Sequence, residues 1–170
     1  MLIEQLTGMI LRELEGLRNE LLAYKDEGQI WAEAPGVSNS AGSLALHLTG
    51  NLRHYIGAQF GGTGYVRDRD REFAARDVPR DELLAGIDTA MAEVNTAFAA
   101  LTGDLLEQPY PLLVGEQRLQ TGEFMLHLAV HLGYHLGQVD YHRRTVTGSR
   151  QSVRALNVSD LSSARADNGD

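Results

Sequence analysis

An all-α fold, a four-helix bundle, is what the sequence predicts, and three observations carry it. Apolar residues recur at spacings of three and four over four separate stretches, which is the periodicity of a helix with one buried face. Segments rich in glycine and proline separate those stretches. The length, 170 residues, and the hydrophobic share, 43%, suit one globule with a real core.

The first helix is expected over residues 2–24, where Leu2, Leu6, Met9, Ile10, Leu14, Leu17, Leu21 and Leu22 follow that spacing. KDEGQIWAEAPGV at 25–37 then reads as a loop with Trp31 tucked against the bundle. SNS at 38–40 offers N-cap oxygens to a second helix that runs to about Phe60, where Gly61, Gly62 and Gly64 stop it. RDRDREF at 67–73 is expected to be solvated or locally ion-paired.

Pro79, Asp81 and Glu82 open a third helix with Leu83, Leu84, Ile87, Met91, Val94, Phe98 and Leu101 as its core stripe and Gly103 as its end. A small β-hairpin is expected within PYPLLVGEQRLQ at 109–120. Thr121 can cap a fourth helix reaching Thr147, with Phe124, Leu128, Leu132, Leu136 and Val139 turned inward. The bundle thus occupies 1–148 and a polar tail 149–170, and the long second and third connections leave room for a non-sequential topology.

Composition removes several function classes. A net charge of −8 without a long Lys/Arg run argues against a nucleic-acid surface, which draws its affinity from phosphate contacts. The opening MLIEQLTGMILREL is too polar and too short for a membrane span and lacks a basic n-region, so no membrane partner and a cytoplasmic location are expected. There is no cysteine. Disulfides, thiolate ligands and a protein thiol nucleophile are excluded, and any metal must be held by nitrogen and oxygen.

Histidine placement is the strongest chemical signal. HLGYHLGQVDYH at 131–142 puts His131 and His135 one turn apart, so both rings can point at one atom. The second helix carries His47, Asn51 and His54 on one face amid leucines. Two facing helices that both bury imidazoles need a common explanation: a shared metal, or hydrogen bonds among the rings and water. A divalent ion on three imidazoles retains an open position, the arrangement of a catalytic site. His54 lies two turns from His47, too far for the same ion, and is expected beside the pocket.

Gln138 and Asn51 are candidates to orient ligands, and Tyr134 and Tyr55 to reach the pocket or pack in the core. His127 reads as partly exposed, His142 as surface or dimer-contacting, and Gly133 and Gly137 as the close approach of a neighbouring helix. GGTG at 61–64 follows a helix and lacks a P-loop lysine, so it is a helix stop. Asp68, Asp70 and Glu72 are weak candidates for a metal carboxylate. No GxSxG elbow and no facing pair of carboxylates is present.

GNLRHYIG and RDRDREF after His47, together with HLGYHLGQVDYHRR, resemble the DinB/YfiT-like superfamily of metalloenzymes, in particular a branch marked by GNLR and RDRDxEF. The resemblance covers about residues 1–148. It implies an up-down-down-up bundle, often a homodimer, with zinc, or else nickel, manganese or iron, on one histidine of the second helix and an HxxxH pair of the last. Carried onto this chain, the ligands are His47, His131 and His135, with Gln138 matching a glutamine three residues after the last ligand. Characterised relatives include bacillithiol S-transferases and a mycothiol-dependent maleylpyruvate isomerase.

Two readings follow. One is a metal-dependent enzyme that activates a low-molecular-weight thiol cosubstrate or water against a small molecule, a thiol S-transferase or a hydrolase. The other is a non-catalytic, stress-related dimeric bundle whose ion ties helix two to helix four; a closed ligand set including His54 or a carboxylate would favour it. A metal-free histidine network stands behind both.

Overall fold

The computed structural model describes residues 2–153 and 157–166. Among them are six α-helices: α1 (Leu2–Leu22), α2 (Ala41–Leu52), α3 (Arg69–Ala74), α4 (Arg80–Ala100), α5 (Gly103–Leu106) and α6 (Thr121–Thr147). A π turn, Arg53–Gly57, and a last turn, Ala58–Phe60, extend α2. Ser40 caps α2 through its hydroxyl, which accepts from the Ser43 N–H. Gly148, at φ 66°, closes α6 in the left-handed region.

The four long helices form the bundle, each touching two others: α1 packs on α4 and α6, and α2 packs on the same two. Contacts along their lengths fix the directions. Glu20 meets Arg143, so α1 and α6 run parallel. Arg18 pairs with Asp88, and Arg80 donates to the Tyr24 carbonyl, so α4 runs against α1. Arg53 pairs with Glu93, and Gly61 abuts Ala97, so α2 runs with α4. The topology is up-down-down-up. Inward stripes fill the centre: Leu6, Ile10, Leu14, Leu17 and Leu21 of α1, Leu83, Ile87, Val94 and Phe98 of α4, and Phe124, Leu128, Leu132, Leu136 and Val139 of α6 are buried.

Several expectations are corrected. Leu2, Met9 and Leu22 of the α1 pattern face solvent, because a stripe of eight apolar positions is wider than the contact α1 makes. Gly103 starts α5; α4 already ends at Ala100. In place of a hairpin, 109–120 shows only two isolated bridges, Pro109 with Gln120 and Val114 with Gln117. Pro109 and Pro111 have no N–H to continue a ladder. Its turn nevertheless follows the hairpin geometry, with Gly115 and Glu116 both at positive φ. Buried Tyr110 anchors the segment by donating to the Tyr55 carbonyl inside the π turn.

His142 is not at the surface. It is 1% exposed, its Nε2–H donates to the Ala32 carbonyl and its Nδ1 accepts from the Tyr24 hydroxyl, stitching α6 to the loop after α1. Nor do Gly133 and Gly137 admit a neighbouring helix of this chain: a Cβ at either would meet nothing within 4 Å. They floor an open cleft between α1 and α6.

Of the polar tail expected over 149–170, residues 154–156 and 167–170 lie outside the described residues, as does Met1. The described part returns along α1: the Gln151 carbonyl accepts from Arg143, and Ser162 sits beside Gly8. Among the described residues no helix is long and apolar enough to cross a membrane.

Trp31 does tuck against the bundle. Its indole N–H donates to the Val78 carbonyl, and its ring lies flush on Gly42, where an added Cβ would come within 2.5 Å of a ring carbon. Gly42→Ala therefore destabilises the fold by about 1–3 kcal/mol, because the indole is held between Gly42 of α2 and the Val78 carbonyl in the segment before α4 and must shift to admit a methyl group. Thermal denaturation followed by circular dichroism reads this as a lowered midpoint.

Candidate metal centre

His47 on α2 and His131 and His135 on α6 come together where those helices cross. One nitrogen from each lies within 4.8 Å of the other two, and the Nε2 atoms of His47 and His131 are 3.3 Å apart. Two nitrogens each about 2.0–2.1 Å from a tetrahedral ion are themselves about 3.3–3.4 Å apart. The spacing suits a shared divalent cation, and the group could hold one.

The nitrogens turned away from the cluster explain the orientation. His47 Nδ1–H donates to Glu72 Oε2 at 3.0 Å, and His135 Nδ1–H donates to Gln138 Oε1 at 2.7 Å. Each bond sets the tautomer that leaves Nε2 as a lone-pair donor. The Nδ1 of His131 is buried and has no partner among the described residues. Without an ion, a single proton between His47 and His131 is the most that their facing Nε2 atoms can share. The donor set therefore fits a metal: three imidazole nitrogens, two of them aimed by outer hydrogen bonds.

Electrostatics disfavour charge on the two α6 rings. Burial, then the neighbouring His135 and His47, pushes His131 down to about 4. Burial also lowers His135, against the opposing bond to Gln138. Burial alone would raise Glu72; the hydrogen bonds from Arg67 and His47 outweigh it and hold Glu72 below the usual carboxylate range.

Glu72, in the sequence only a weak candidate for a metal carboxylate alongside Asp68 and Asp70, is instead the hydrogen-bond partner of His47. The alternating charges of RDRDREF suggested a solvated segment, yet the segment folds as α3, capped by Asp68, whose carboxylate accepts from the Arg71 N–H. Glu72 is 5% exposed. Arg67 clamps it with two donors, at 2.7 and 2.8 Å, and Phe73 lies against the His47 ring at 4.9 Å between centroids. Glu72 thus sits behind His47, whereas Asp68 and Asp70 stay on the outside of α3.

The GNLR stretch serves the same docking. A Cβ on Gly50 would lie 2.2 Å from Glu72 Oε1, so only glycine lets α3 close on α2. Arg53 holds Glu93 on α4 and stacks over Tyr65, 4.1 Å from the ring centroid. The pairing of GNLR with RDRDxEF was the available signal for a joint role.

The remaining sequence candidates divide. Among the described residues, buried Asn51 has no partner for Oδ1 and half-buried His54, its ring against Tyr55, has none for Nδ1; neither belongs to the three-histidine group. His127 is exposed and stacks on His131 at 6.1 Å. Tyr134 points outward, 65% exposed, with its ring edge-on to His135.

A protein-family profile described as mycothiol-S-transferase matches residues 2–148. The chain belongs to this family, which lies within the DinB/YfiT-like superfamily. No curated protein matches this chain, and no solved structure matches it.

Glu72→Gln keeps the shape but loses the charge behind His47, and lowers metal affinity about 10- to 100-fold in a competition titration against a chelator. Gly50→Ala, which displaces the carboxylate sterically, moves affinity the same way. In metal-free protein the depressed His131 and His135 bind protons only after the unfolded chain has done so. Stability is therefore complete above pH 6.5 and falls as pH drops toward 4, which thermal midpoints across that range measure.

Proposed function

We propose that this protein is a metal-dependent thiol S-transferase of the cytoplasm, with His47, His131 and His135 as the ligands of a divalent ion, zinc first, and a low-molecular-weight thiol of the mycothiol type as cosubstrate. The observation that carries this reading is the three-histidine set with its outer nitrogens fixed by Glu72 and Gln138. A fourth protein donor would close the site, and among the described residues the group has only these three. That favours an enzyme over a scaffold.

A divalent ion held there supplies Lewis acidity that favours the thiolate form of a thiol near neutral pH. The chain contributes everything else. It has no cysteine, so the sulfur that attacks belongs to the cosubstrate. Glu72, braced by Arg67, and Gln138 hold two ligand rings in place, and Phe73 covers His47 against water. In the reaction the thiol loses its proton, a carbon–sulfur bond forms to an electrophilic small molecule, and the leaving group departs or the adduct is protonated.

Next to His135, Gln138 also borders a depression of about 400 Å³ lined by Ser38, Asn39, Leu44 and Tyr141. Its hydroxyl and amide groups suit a polar cosubstrate body.

Elemental analysis of protein purified without added metal gives about one first-row ion per chain, lost in His131→Ala/His135→Ala. The loaded protein conjugates mycothiol to a fluorogenic electrophile, and the variant does not. Turnover that proceeds without any thiol would assign water as the nucleophile instead. Wild-type protein that neither carries an ion nor takes one up from zinc, nickel or manganese overturns the proposal.

A further inference from the structure

Two of the three histidine rings are held from behind, and the third is not. His47 and His135 give Nδ1–H to Glu72 and Gln138, whereas the buried Nδ1 of His131 has no partner among the described residues. The Oδ1 of Asn51, on a side chain buried in α2, is orphaned in the same way. Both atoms belong to one stretch of the contact between α2 and α6. These helices run antiparallel, and two ring contacts fix their register: His47 lies 5.2 Å from His131 and Tyr55 5.1 Å from Phe124, between centroids. Asn51 is one turn from His47 and one turn from Tyr55, so it sits on that face midway between the two contacts. Between the same contacts α6 presents Phe124, His127 and His131, whose rings stack one on the next at 5.9 and 6.1 Å.

Proton accounting explains why neither orphan serves the other while protons alone occupy the cluster. Glu72, clamped by Arg67 as a carboxylate, only accepts, so a neutral His47 spends its one proton on Nδ1. Arg67 Nη2, 3.1 Å from that nitrogen, has its own bond to Glu72 at 2.8 Å. The His47 Nε2 is then a lone pair, and its 3.3 Å contact with His131 Nε2 takes its proton from His131. That leaves His131 Nδ1 bare. It is an acceptor facing a region whose orphaned amide oxygen, Asn51 Oδ1, is an acceptor too.

We propose that Asn51 is the positioning residue for the third ligand: when His131 Nε2 gives its lone pair to a divalent ion, the one proton of that ring moves to Nδ1 and is donated to Asn51 Oδ1. The ring stays neutral throughout. A single event then satisfies both buried atoms, and each ligand ring gains an outer acceptor, from Glu72, Gln138 and Asn51 in turn. The inference rests on the ligand set proposed above. His54 Nδ1, three residues past Asn51 and also without a partner among the described residues, is the competing claimant for that oxygen. A bond to His54 would leave the buried ligand nitrogen unmatched and metal binding indifferent to Asn51.

Competition against a chelator measures zinc affinity, and the proton magnetic resonance spectrum of the cobalt(II)-loaded full chain counts the ligand N–H groups. Wild-type protein is expected to show three strongly shifted signals that vanish in heavy water, one for each ligand Nδ1–H. Asn51→Leu, an apolar near-isostere, loses one of them to exchange with water and binds zinc about 10- to 100-fold more weakly. Its metal-free melting midpoint is unchanged or higher, because the substitution removes an acceptor that had no donor. Asn51→Asp keeps an acceptor oxygen at the same place, so it retains the third signal and recovers most of the affinity. Zinc affinity unchanged in Asn51→Leu, three signals persisting in it, or a metal-free midpoint that falls together with affinity overturns this inference and leaves the ligand set standing. Wild-type protein that takes up neither zinc nor cobalt overturns both.

Discussion

Imidazoles placed between two packed helices dictate much of this molecule's architecture. Each ring brings two nitrogens out of water, and each nitrogen needs a partner or imposes a cost comparable to a lost hydrogen bond. His47 and His135 solve half of that problem with Glu72 and Gln138, and the other half is left directed at a common point with His131. The unmatched nitrogens are therefore concentrated where an ion could use all three at once.

The Glu72 solution has consequences well beyond the site. A carboxylate can be buried behind His47 only if its own charge is met, which Arg67 does with a two-donor clamp. The clamp needs the loop after α2 to fold back, the fold-back needs the glycine stop at 61–64, and the close approach needs Gly50 to lack a side chain. Arg53 then anchors the same stretch of α2 to Glu93 on α4. A short charged helix that adds nothing to the apolar core is held in place by one hydrogen-bonded chain.

A second polar network lies toward the C-terminal ends of α1 and α6. Buried Glu20 pairs with buried Arg143, whose Nη2 donates to Asp140 and the Gln151 carbonyl, while His142 bridges Tyr24 and Ala32. A buried ion pair of this sort contributes little net stability but penalises any slippage that would part it. It fixes α1 parallel to α6, an arrangement that apolar stripes alone leave open.

The sequence by itself determined the helices and one half of the site. Periodic leucines mark α1, α4 and α6, and Ser40 and Gly148 mark ends, because amphipathicity and capping are local properties read over a few residues. The HxxxH spacing of His131 and His135 is likewise local, fixed by one helical turn. Tertiary structure alone decided the rest. Charge alternation in RDRDREF looks the same whether a segment is solvated or docked; Glu72 became the partner of His47 only because Gly50 opened a place for it on another helix. His142 resembled a surface residue until Tyr24 and Ala32 met it from across the bundle. Gly133 and Gly137 suggested a close neighbour, and the fold instead turned them toward an open cleft. Contacts between residues far apart in the chain set those three outcomes, and no local pattern encodes which partner arrives.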